Sequence, residues 1–168
     1  MAAQIILNNK QSTVSGPYAY YTVLIEPIDG TRTASSVQAN VIVKWHLKYT
    51  DSWLGVGHTR TASIYLGDDW HSIVIKDSNE TINGTGERTD TGTFTISGLS
   101  ETQEVLTGIK FKVESNNSSY LGGSLSETDC SNLFIPYYTE PELPSASPLV
   151  DTSRISGITY IYVNGSWV

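Results

Sequence analysis

From Val37 to Tyr49 an apolar or aromatic residue recurs at every second position. Val37, Ala39, Val41, Val43, Trp45, Leu47 and Tyr49 share one face, and Gln38, Asn40, Ile42, Lys44, His46 and Lys48 share the other. A period of two is what a strand needs when one side packs on a core and the other meets water, whereas a helix would scatter the same residues around its axis. Shorter runs of the same kind span Tyr18 to Pro27, Arg60 to Leu66, Trp70 to Lys76, Thr91 to Ser97, Ile109 to Glu114 and Tyr120 to Leu125. Gly-, Asn-, Asp- and Ser-rich clusters at residues 29–31, 67–69, 83–86, 97–98 and 115–118 separate them as turns. The pattern predicts an all-β fold, an antiparallel β-sandwich of roughly eight strands with a jelly-roll-like arrangement. Helical character is expected only as a single short turn within Leu99 to Leu106, where Glu101, Gln103 and Glu104 cluster.

The pattern changes near the C-terminus. Four of the six prolines, Pro136, Pro141, Pro144 and Pro148, fall close together, and their fixed φ and missing N–H groups favour an extended linker over a continuing strand. The expected organisation is a sandwich domain at 1–138, a Pro-rich linker at 139–152 and a C-terminal strand or hairpin arm at 153–168. Alternation resumes from Ile155 to Val163 and runs into Asn164-Gly165, a favoured two-residue hairpin loop, followed by Ser166, Trp167 and Val168. A hairpin this short is not stable alone, so the arm must dock, either on its own domain or on another subunit. Tyr137, Tyr138, Ile158, Tyr160, Tyr162 and Trp167 are the side chains expected at that assembly contact.

Composition narrows the function. The 168 residues carry 17 acidic and 10 basic side chains, a net charge of -7, which is the wrong sign for a nucleic-acid or anionic-membrane partner. Hydrophobic residues at 39% with charged residues at 16% indicate a globular chain, and no apolar run has the length of a membrane span. The start, Met1 to Ile5, lacks the basic and apolar regions of a signal peptide, so synthesis in a cytoplasm is expected. Cys130 is the single cysteine and has no disulfide partner in the chain; a small core residue is expected there, not a nucleophile.

Catalytic chemistry finds no constellation. His46, His58 and His71 accompany no Gly-x-Ser-x-Gly elbow, and Asp68, Asp69, Glu87, Asp90, Glu101, Glu104 and Glu114 single out no pair for glycoside hydrolysis. Asn79, Thr81 and Asn83 imitate a calcium loop with too few carboxylates. No enzyme activity, metal or cofactor is therefore expected. Trp53 and Trp70 lie beside turn residues, close in sequence to His58 and Asp69 respectively. An indole beside polar groups is hardware for stacking a sugar ring, so Trp53, His58, Asp69 and Trp70 are the candidate ligand-binding residues. The competing expectation is that these tryptophans cap the core.

Three runs, TGTFTISG at Thr91–Gly98, GIKF at Gly108–Phe111 and GGSLSET at Gly122–Thr128, resemble β-sandwich modules in minor structural and tail-tip proteins of phages that infect Gram-positive bacteria. The ending YIYVNGSW at Tyr160–Trp167 is similar to short strand-turn elements near the ends of phage virion proteins. The resemblance implies a virion component of a tail, baseplate or fibre. Its partners would be copies of itself and other virion proteins, with a host-surface polysaccharide as a further ligand. It carries no catalytic motif. The expectation is a structural virion protein assembling through its C-terminal arm, and the alternative is a carbohydrate-binding module that recognises the host surface.

Overall fold

The computed structural model of the chain describes residues 1–12, 19–51, 53–116, 124–140, 162–163 and 166–167. The chain divides into two units, Met1–Tyr138 and Thr139–Val168.

In the first unit the strands are β1 (Gln4–Gln11), β2 (Ala19–Pro27), β3 (Val37–Leu47), β4 (Trp53–Leu54), β5 (Arg60–Leu66), β6 (Asp69–Lys76), β7 (Ile82–Asn83), β8 (Arg88–Ile96), β9 (Val105–Leu106), β10 (Lys110–Ser115), β11 (Leu125–Asp129) and β12 (Leu133–Phe134). Among the described residues every element is a strand. Two antiparallel four-stranded sheets dominate, with strand orders β1-β2-β3-β8 and β11-β10-β5-β6, and β4–β7 and β9–β12 form two short ribbons. The first three strands run as a meander within one sheet, which the jelly-roll expectation did not contain, and the later connections cross so that β8 returns beside β3 and β10 beside β5.

Alternation explains the packing. On β3 Val37, Ala39, Val41, Val43, Trp45 and Leu47 are all buried, and β2 buries Ala19, Tyr21, Val23 and Ile25 in register with them. From the other sheet Ala62, Ile64, Leu66, Ile75, Phe111, Val113 and Leu125 enter the same buried cluster, so one core lies between two sheets in the manner of a sandwich. Each fully buried aliphatic side chain contributes about 1.5–3 kcal/mol. Tyr49, expected on the core face, lies beyond the end of β3 and is exposed.

One expectation is corrected and one strand is new. Leu99 to Leu106 holds no helix: Gln103 N–H donates to Ser100 C=O across one turn, and the chain then pairs as β9 with β12. β1 was not anticipated, because register shifts between Ile5 and Leu7 and between Leu7 and Lys10 break its alternation, and Asn9 takes a φ of 46°. Ile6 and Leu7 are consequently buried in succession. Of the strand expected at Tyr120–Leu125, residues 120–123 lie outside the described set, Ser124 is not in a strand, and β11 begins at Leu125 and continues beyond the expected end.

In the second unit β13 (Tyr162–Val163) pairs antiparallel with β14 (Ser166–Trp167), Tyr162 opposite Trp167 and Val163 opposite Ser166. That pairing is the register a two-residue hairpin requires. Ile158 and Tyr160 lie outside the described residues.

Candidate functional site

The outer face of the β11-β10-β5-β6 sheet concentrates the chemistry. Arg60, Ala62, Ile64 and Leu66 point inward on β5, so Thr61, Ser63 and Tyr65 lie on the other face, where Ser63 is itself covered at 5% exposed. Cross-strand register then fixes their neighbours: Lys110, Tyr65 and Trp70 form one row across three strands, Lys112, Ser63 and Ser72 the next, and Glu114, Thr61 and Val74 the third. The Tyr65 and Trp70 rings are 5.6 Å apart, tilted by 55°, and Lys112 Nζ lies 4.9 Å from the Trp70 ring centroid. Trp70 is 40% exposed and Val74 59%, while the Ser63 and Ser72 hydroxyls bond at 2.9 Å. Lys112 bonds Glu114 at 2.9 Å and Lys110 bonds Glu127 at 2.5 Å, a contact that raises the Lys110 pKa. A groove of about 450 Å³ adjoins the face, lined in part by Lys112, Glu114, Ser126 and Glu127. The result is an aromatic platform fringed by hydroxyl, ammonium and carboxylate groups.

Beneath it, at the far end of β5, polar groups enter the core. Arg60 is 1% exposed; one of its Nη atoms donates to the Tyr21 hydroxyl at 3.2 Å and its guanidinium lies 5.2 Å from the Trp45 ring centroid. Burial lowers the Arg60 pKa and raises that of Tyr21, and each opposes the other's shift. Trp45 Nε1–H donates to Asp90 at 3.1 Å. Burial pushes the Asp90 carboxyl above its ordinary value; the Trp45 bond and Arg88 pull it back and Glu80 adds to the rise. Arg88, opposite Trp45 in register, pairs with Glu80 at 3.2 Å. Lys76, fully buried and opposite Arg60, donates to main-chain carbonyls. Burial is the largest influence on its pKa and lowers it, with Glu80 and Asp77 opposing and Arg60 and Arg88 reinforcing.

Of the four expected ligand residues, two lie side by side. Asp69 and Trp70 begin β6, both exposed, at the platform. His58 precedes β5 at its opposite end, seven residues or roughly 23 Å along the strand from Trp70's partner Tyr65. Trp53 belongs to β4, paired with Asn83, and its side chain lies outside the described set. Tyr65, Ser63 and Lys112 were missed because their proximity to Trp70 comes from register and from β10, a strand distant in sequence.

The expected assembly tyrosines also differ. Tyr137 is 67% exposed beside Phe134 at 61%, and with Met1, Glu104 and Ile135 they line a hollow of about 280 Å³. Tyr138 is half-buried under the Arg32 guanidinium, 5.9 Å from its ring centroid. Among the described residues no three His, Cys, Asp or Glu side chains converge as metal ligands. Cys130 packs against the core and burial pushes its thiol up to about 11, so it is protonated at neutral pH. His71 stacks on Phe94 at 4.7 Å, in β6 and well away from His58. No protein-family model, curated protein or solved structure matches the chain.

Proposed function

We propose that the chain is a non-enzymatic structural component of a bacteriophage virion, built into a tail, baseplate or fibre through a C-terminal arm that reaches another subunit. The observation that carries this reading is the division of the chain: Met1–Tyr138 is one compact unit, whose buried core among the described residues runs from Ile6 to Ile135, and Thr139–Val168 is a second, with its own strand pair. A unit that is compact by itself leaves the segment that follows it available to a partner. The apolar hollow at Met1, Phe134 and Tyr137 adds surface of the kind that subunit contacts cover. The sequence resemblance supplies the virion setting. Mass spectrometry of purified phage particles whose genome encodes this chain tests it: the chain is expected among the structural proteins, and its absence from intact particles overturns the reading.

A second reading has its own observation, the Tyr65–Trp70–Lys112 platform. A sugar ring stacks its C–H face on an indole while hydroxyls meet Lys, Ser and Glu groups, so this face suits recognition of a host-surface saccharide. Glycan-array binding that Trp70→Ala abolishes while the melting temperature stays near that of the unmodified chain is the expected result. Glycan binding unaffected by Trp70→Ala, or none at all, removes this reading without touching the first.

A further inference from the structure

We propose that the end of the sandwich opposite the Gly67–Asp68 turn is a main-chain carbonyl site for a primary ammonium ion, filled in this protein by its own Lys76. Four main-chain carbonyl oxygens surround Lys76 Nζ: Gly55 at 3.0 Å, His58 at 2.6 Å, Asp77 at 3.0 Å and Glu80 at 2.9 Å. Two come from the loop between β4 and β5 and two from the loop between β6 and β7. An ammonium carries three N–H donors, so the shell holds more oxygens than hydrogen bonding alone demands. It is the carbonyl coordination that backbone loops offer a monovalent cation.

Neighbouring side chains keep out of this shell. Asp77 Oδ1 accepts from Asn79 N–H at 2.9 Å, and the Glu80 carboxylate pairs with Arg88. Arg60, the cross-strand neighbour of Lys76, directs an Nη atom to Tyr21. Lys76 itself is 0% exposed, so water does not substitute for its N–H groups. Contacts independent of Lys76 shape the loops. Gly57 N–H donates to Ser78 C=O at 2.6 Å, and the Asn116 side-chain amide bonds both Gly57 C=O and Thr59 N–H. Without a cation, four carbonyl dipoles point into one sealed space with no donor, an arrangement a buried site does not tolerate. Lys76 is thus a positioning residue. It ties loop 55–58 to loop 77–80 in the role for which other folds recruit a metal ion, and with them the β4–β7 ribbon that carries Trp53.

Two variants of the full chain test the site. Lys76→Met keeps the apolar stem and deletes the donors; amides in 55–58 and 77–80 are expected to exchange about tenfold or more faster, with β2 and β3 unchanged. Lys76→Ala leaves a space of the shape of n-propylammonium. That ion is expected to raise the variant's melting temperature saturably, while tetramethylammonium chloride at equal concentration, charged but without N–H groups, does not. If Lys76→Ala folds only with an added amine, refolding yield in the two salts gives the same comparison. Full protection of both loops in Lys76→Met, or equal action of the two salts on Lys76→Ala, overturns the proposal.

Discussion

Trp45 is held by more than its hydrophobic area. Its ring lies on the Arg60 guanidinium, stacks 6.3 Å from Tyr21 and donates its indole N–H to Asp90. Trp45→Ala should cost about 3–5 kcal/mol, read from urea unfolding, and a loss under about 1 kcal/mol would contradict this account of the core. Asp90 gives a pH signature. Its folded pKa is raised above 3.8, so the folded state holds the proton more tightly than the unfolded chain does. The stability it contributes is complete below 3.8 and is lost as pH climbs through the raised value. The stability of the unmodified chain minus that of Asp90→Asn should therefore decline from acid to neutral pH, and a difference that grows with pH would be the wrong sign.

At the scale of elements, the β5–β6 hairpin shows how tightly a turn is specified. Leu66 pairs with Asp69, leaving Gly67 and Asp68 as a two-residue loop, and Gly67 alone of the two has positive φ, at 65°. A Cβ there would stand 2.4 Å from the Ser97 carbonyl oxygen, whereas at Gly30, with φ 77°, it would meet nothing within 4 Å. Gly67→Ala should lower the melting temperature clearly more than Gly30→Ala, whose cost is the left-handed backbone alone, about 1–2 kcal/mol. Equal losses would mean that the Ser97 turn yields.

The same hairpin marks what the sequence discloses. β3 was legible because its nine register pairs with β8 run without a bulge, so alternation survives intact. β1 was not, because two irregularities scramble its period. Trp70 stood out as an indole beside a turn, yet its partners Tyr65 and Lys112 become visible only once strands are in register. The Lys76 shell has no sequence signature at all, since its oxygens belong to the main chain and any residue supplies them.

For the whole molecule, the central claim is that Met1–Tyr138 is complete as a folded unit and that Thr139–Val168 acts between subunits. Met1–Tyr138 is a compact unit by itself, so losing Thr139–Val168 should leave its stability nearly intact. The apolar residues of the arm, left unpartnered, would be an association hazard, and a partner's surface is where they gain free energy. The most direct measurement is the light-scattering mass of the full chain on serial dilution, beside that of the chain ended after Tyr138, with thermal melts of both. The account predicts an oligomer for the full chain that dissociates on dilution, and a monomer for the shorter one that melts within about 3 °C of it. Monomeric mass for both, together with a large melting-point drop on removing residues 139–168, would contradict it and make the arm a last strand of its own domain.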